Sequence, residues 1–120
     1  MEAVIIMWRK TATTLTALVV TATGVVLAPT AAAAEPCPAK NLCLYAGHGY
    51  TSMKFQTKRS GACWQLSKYG LVNKILSYDN NMSKWARFYD KKGKNVWNIR
   101  NGGSSGDSSS YTGEWKVCTD

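Results

Sequence analysis

A chain of 120 residues with one histidine, His48, and only seven acidic side chains holds little material for catalysis. A nucleophile needs a base to activate it, and acid–base hydrolysis needs two carboxyl groups placed together. Here the imidazole stands alone in a glycine-rich turn and the carboxylates fall at no paired spacing, so the chain is read as a non-enzyme. Metal ligands are equally scarce. The four cysteines contain no Cys-x-x-Cys pair and no second histidine joins them, so neither a metal nor any other cofactor is expected. Apolar residues nowhere keep a 3.6-residue period through three turns, which argues against a helical bundle. The uncharged apolar segment from Leu15 to Ala28 is also shorter than the roughly 20 residues a bilayer-spanning helix requires.

That short segment has another use. Arg9 and Lys10 precede it, and Pro29 and the Ala32-Ala33-Ala34 tract follow, which is the order of a basic region, an apolar region and a small-residue cleavage site. Residues 1–34 are expected to be a signal peptide cut after Ala34, with translation starting at Met1 or at Met7. The residues before Cys37 lack the leucine and small residues that precede a lipid-modified cysteine, so release as a secreted, extracellular protein is expected, with no membrane attachment.

What is released is a single small domain, residues 35–120, whose core alone is only modestly stabilising. Cys37, Cys43, Cys63 and Cys118 all lie within it, and an even cysteine count in an oxidising compartment reads as two disulfides. Three connectivities are open. The favoured one joins Cys37 to Cys43, pinning the N-terminus to the first strand, and Cys63 to Cys118, tying the last strand to the middle. Each bond contributes about 2–4 kcal/mol. Of the 15 basic and seven acidic side chains, the leader takes Arg9, Lys10 and Glu2, leaving 13 against six and a net charge of +7. A partner selected by electrostatics is therefore acidic: an anionic cell-wall polymer, a membrane surface, nucleic acid or an acidic protein. The cations are scattered, which is also how a solvated basic surface reads, and no dedicated nucleic-acid or membrane contact is expected.

The chain is organised around Asn41 to Phe55. Leu42 and Leu44 alternate with Cys43 and Tyr45, and Met53 and Phe55 repeat the alternation beyond a turn carrying Gly47 and Gly49, so the stretch reads as strand, folded turn, strand. The glycines let the turn fold back and bring Tyr45 against Tyr50. A polar connection, residues 56–62, ends at Cys63. Leu71 to Tyr78 is rich enough in Leu, Val and Ile to read as a strand. Ser77, near its end, is either an exposed strand residue or turns inward to hydrogen-bond the folded hairpin. Trp85 to Tyr89 and Asn95 to Ile99, joined by Asp90-Lys91-Lys92-Gly93, form a second hairpin. Residues 101–110 are polar and glycine-rich and are expected to be a mobile loop. In the closing strand Trp115 and Val117 alternate with Glu114 and Lys116. The sum is an all-β chain in two halves, a small antiparallel sandwich.

Cys37-Pro38-Ala39-Lys40-Asn41-Leu42-Cys43-Leu44-Tyr45, then Tyr50, then Asn73 to Ser83 and Arg87-Phe88-Tyr89-Asp90, resemble the secreted actinomycete peptidase inhibitors typified by the Streptomyces metalloproteinase inhibitor. The resemblance implies a βγ-crystallin-like fold of two Greek keys. It casts Tyr45 and Tyr50 as the aromatic pair of that fold's hairpin and Ser77 as the serine that pins it. Ser52 departs from the pattern, standing where a glycine is usual, and the second half has no clean repeat of the aromatic spacing. Calcium-binding relatives of the fold carry oxygen ligands where this chain has Val72 and Leu76, and a second near match from Asp79 fails at Lys84. No tight calcium site is expected.

By this resemblance the function is inhibition of an extracellular protease by a monomeric protein. The alternatives are a cationic toxin-like or wall-binding protein with the same sandwich, and a structural secreted domain. Within the inhibitor reading, Lys58-Arg59-Ser60-Gly61-Ala62 is the candidate reactive loop, because its following residue, Cys63, tethers it. The bland reading of the same residues is a basic surface connection.

Overall fold

The computed structural model describes residues 32–120. The basic and apolar parts of the expected leader therefore lie outside the described residues. The described chain is all-β, apart from one 3₁₀ turn at Leu66–Tyr69. Its strands are β1 (Leu42–Gly47), β2 (Thr51–Thr57), β3 (Cys63–Gln65), β4 (Ser77–Asn80), β5 (Ala86–Tyr89), β6 (Asn95–Ile99), β7 (Ser104–Ser105) and β8 (Lys116–Thr119).

They form two antiparallel four-stranded sheets, in the orders β2-β1-β4-β7 and β3-β8-β5-β6. The halves exchange strands. β3 follows β2 in the chain yet pairs with β8, while β7 leaves the second half to pair with β4. Each sheet is thus incomplete without a strand from the other half, and the two halves share one core. Leu42, Leu44, Phe55 and Tyr78 from the first sheet and Ala86, Phe88, Ile99 and Val117 from the second belong to a single buried cluster. Phe55 links the layers directly, edge-on to Trp64 at 5.2 Å and to Tyr69 at 4.9 Å. Phe88 lies nearly parallel to Trp97 at 3.9 Å.

Strict alternation fails in β1, where Leu42, Cys43, Leu44 and Tyr45 are all fully buried. The outer face is covered by the segment before the strand. Cys43 is bonded to Cys37, the Tyr45 hydroxyl donates to the Glu35 carbonyl at 2.6 Å, and the Glu35 N–H donates to the Tyr50 carbonyl at 2.7 Å.

Three sequence expectations need correction. Leu71 to Tyr78 is not one strand: regular pairing begins only at Ser77, because Asn73 adopts a left-handed φ of 56° and the backbone turns there. Leu71 and Ile75 still reach the core, from a turn rather than a strand. The 101–110 stretch does pack. Ser104–Ser105 is β7, and the buried Ser108 donates through its hydroxyl to the Ile75 carbonyl and through its N–H to the Leu76 carbonyl, both at 2.9 Å. Polar residues order a loop when backbone groups are there to receive them. Finally, the closing strand starts at Lys116, so Glu114 lies outside the alternation and is buried.

Candidate functional site

The 58–62 connection runs from β2 to β3 and so crosses from one sheet to the other. Lys58, Arg59, Ser60 and Gly61 are exposed, yet the backbone of the loop is held at Arg59, Gly61 and Ala62. The Arg59 N–H donates to Thr57 Oγ1 at 3.0 Å, and the Arg59 carbonyl accepts from Thr119 Oγ1 at 2.8 Å. Gly61, at φ 69°, donates to the carbonyls of Thr119 and Asp120. Ala62 accepts from the Thr119 N–H at 2.9 Å, and Cys63 is bonded to Cys118 across the β3–β8 pair. Side chains project from a backbone that is already ordered, the arrangement that loses least entropy on binding. Sequence reading found the disulfide tether but missed Thr119. Nothing in Cys118-Thr119-Asp120 marks a threonine as a clamp for residues sixty positions earlier.

The folded hairpin gathers Tyr45, Gly47, Gly49, Tyr50 and Ser77. Tyr45 and Tyr50 meet edge to face at 5.7 Å. Fully buried Ser77 donates to the Gly47 carbonyl at 2.6 Å and accepts from the Tyr50 N–H at 3.0 Å. A side chain on Gly47 would run into that of Thr51, and Gly49 sits at φ 63°. Ser52 adopts φ 55° although it is not glycine, so its hairpin keeps the left-handed geometry at some cost in strain. Tyr50 itself is only half-buried. His48, in the same turn, is exposed and faces Asp107 at 3.5 Å, so the single imidazole is matched to the second half's polar loop.

At the calcium-like positions, Val72 packs against the core and the Leu76 N–H bonds the Tyr45 carbonyl. Asn80 is buried and spent on the chain itself, donating to the Lys84 and Arg100 carbonyls and accepting from the Met82 N–H. Among the described residues no three His, Cys, Asp or Glu side chains gather in a metal-binding group.

The sequence model of peptidase inhibitor family I36 matches residues 30–105, more than half of the chain. The chain belongs to peptidase inhibitor family I36. The match takes in the hairpin, Ser77 and the 58–62 loop, and it stops before β8, which supplies Thr119 and Cys118. No curated protein and no solved structure matches the sequence.

Beside the family's matched region lies a further residue that sequence reading misplaced. Glu114 of this I36 chain is 1% exposed; its Oε1 accepts from Trp97 Nε1 at 3.2 Å, while Oε2 has no hydrogen-bond partner. Burial pushes its carboxyl above the ordinary range, opposed by the N–H groups around it. Asp120 shows the reverse. Its carboxylate receives Arg87 at 2.8 and 2.9 Å, and these hydrogen bonds hold it below the usual range.

Proposed function

We propose that the chain is exported by cleavage after Ala34 and that residues 35–120, one βγ-crystallin-like domain of two Greek keys, inhibit an extracellular peptidase as a monomer. The strand exchange of β3 and β7 supports the Greek-key reading, since each half then sends one strand into the other sheet. The inhibitor acts by lodging Lys58–Ala62 in the enzyme's cleft. One observation carries this: the loop's side chains are exposed while its backbone is fixed at Arg59, Gly61 and Ala62 by the C-terminal strand. A protease cleft binds an extended segment, and a segment already held in shape pays little ordering cost.

The test is a panel of metallo-, serine and cysteine peptidases titrated with the purified protein, with binding to cell-wall preparations measured in parallel. Inhibition at near-equimolar dose supports the proposal. Salt-sensitive wall binding without inhibition would replace it with the cationic wall-binding reading, and neither activity would leave the structural one.

A further inference from the structure

One end of the sandwich carries two depressions that share a wall. The larger, about 610 Å³, is rimmed by Lys40, Lys58 and Lys84, with Met82 and the Asn101-Gly102 pair also lining it. The smaller, about 300 Å³, is lined by Trp85, Asn98, Arg100 and Ser104, with Tyr78 among its aromatic surface. Between them runs the turn from Arg100 to Gly103, closed by the Gly103 N–H on the Arg100 carbonyl at 2.9 Å, and Lys84 and Trp85 adjoin in sequence. No carboxylate lines either depression. The ion pairs of the described residues, His48 with Asp107 and Arg87 with Asp120, involve none of these cations.

The walls are rigid. Lys40 sits at φ 67° inside the Cys37–Cys43 loop, and Asn81 bonds that loop through its side-chain amide to the Cys37 and Pro38 carbonyls. The Lys58 side is held by Thr119. Trp85, the most exposed tryptophan of the described chain at 40%, is also fixed in place. The Arg87 guanidinium lies over its ring at 5.2 Å, itself clamped by Asp120 in two hydrogen bonds. An indole propped by a stacked cation, beside amide, hydroxyl and guanidinium donors, costs little ordering on binding.

We infer that this end of the molecule is a binding site for an acidic polysaccharide, a chain of pyranose rings bearing carboxylates. The apolar face of a sugar ring covers the indole of Trp85, and Asn98 and Ser104 meet ring hydroxyls, as polar groups do in an otherwise aromatic cleft. The planar fork of Arg100 takes the carboxylate of the same unit. Neighbouring units along the chain present their charges to Lys40, Lys58 and Lys84. The site touches the 58–62 loop only at its edge, through Lys58 and Ser60; Trp85, Arg100, Lys40 and Lys84 all lie outside that loop, so they can be changed without altering it.

The experiment titrates the purified protein with oligogalacturonate, with neutral maltooligosaccharide and polyglutamate in parallel, read by calorimetry and indole fluorescence. Oligogalacturonate is expected to bind, and Trp85→Ala to weaken it at least tenfold, while Trp85→Phe, which keeps a ring face, retains most of the affinity. Arg100→Gln and the double change Lys40→Ala with Lys84→Ala are each expected to weaken binding several-fold, the double variant also losing part of the salt dependence. Should Trp85→Ala unfold, the Phe and Gln variants carry the test with thermal unfolding as control. Polyglutamate binding as tightly, with no dependence on Trp85, would reduce the site to diffuse basic attraction. Equal binding of the neutral sugar, or no binding of oligogalacturonate, would also overturn the proposal. Peptidase inhibition measured on the Lys40 and Lys84 variant keeps this outcome distinct from the fate of the inhibitor reading.

Discussion

The hydroxyl of Thr119 donates to the carbonyl of Arg59 across 2.8 Å, joining residues sixty positions apart. The same oxygen accepts the Ala62 N–H at 3.4 Å, so one side chain on the last strand shapes the exposed loop from both ends. Thr119 is 5% exposed, which keeps water from substituting for it.

Thr119→Val keeps the volume and removes both contacts. It is expected to cost about 1–2 kcal/mol of stability, the usual net worth of the hydrogen bonds it removes, and to speed amide exchange at Ala62. Urea unfolding and hydrogen exchange measure the two effects. Unchanged exchange at Ala62 would mean that the disulfide and the main-chain bonds of Gly61 and Ala62 order the loop without the threonine hydroxyl.

Ser77→Ala leaves the Gly47 carbonyl and the Tyr50 N–H without their partner and is expected to cost about 2–3 kcal/mol. Tyr45→Ala empties a fully buried ring site and is expected to cost about 3–5 kcal/mol. Chemical denaturation checks both, and a loss below about 1 kcal/mol at Tyr45 would show that the ring pair is decoration.

Glu114 makes stability depend on pH in an unusual direction. Its folded-state pKa is raised above the ordinary 4.5 by burial, so the folded state holds the proton more tightly than the unfolded chain does. Stability from this group is complete below 4.5 and is lost as pH rises from there through the folded value. Glu114→Gln is expected to raise the melting temperature at pH 7 and to flatten the gain that wild type shows on acidification towards pH 4.5. A wild-type curve that is already flat over that interval would contradict the assignment. Asp107 and Asp120, both held low, act in the opposite sense and only at lower pH, as they become protonated below 3.8.

Calcium is expected to leave the melting temperature nearly unchanged, since a ligand stabilises only as far as it binds the native state. Val72 and Leu76 offer no side-chain oxygen, and Asn80 is already engaged by Lys84, Arg100 and Met82. A rise of many degrees at millimolar calcium would reverse this.

Lys58 and Arg59 are expected to carry much of the affinity for a cognate peptidase. Replacing both by Ala should raise the dissociation constant at least tenfold, about 1.4 kcal/mol, whereas replacing Lys91 and Lys92 should have a small, salt-screened effect. Equal losses would indicate long-range attraction in place of a contact, and no loss from either would remove the loop from the site.

Local chemistry was legible in the sequence wherever it depends on neighbours along the chain. Period-two alternation marked β1 and β2, Asp90 and Gly93 marked the turn between β5 and β6, and the glycines between Tyr45 and Tyr50 marked the folded one. The four cysteines left three pairings, and the structure has Cys37 with Cys43 and Cys63 with Cys118. Tertiary structure alone decided what depends on distant partners. Serine and glycine at 101–110 read as mobile, because their hydroxyls and amides have no local partner; Ile75 and Leu76 supply the partners from the other half. Glu114 read as part of the closing strand's alternation, but the strand begins two positions later. Thr119 gives no local signal, and its role exists only because β3 crosses to pair with β8 and brings the 58–62 loop against the last strand. A hydrogen bond across sixty residues is set by which strands share a sheet, and the periodicity of a single strand carries no record of its neighbours.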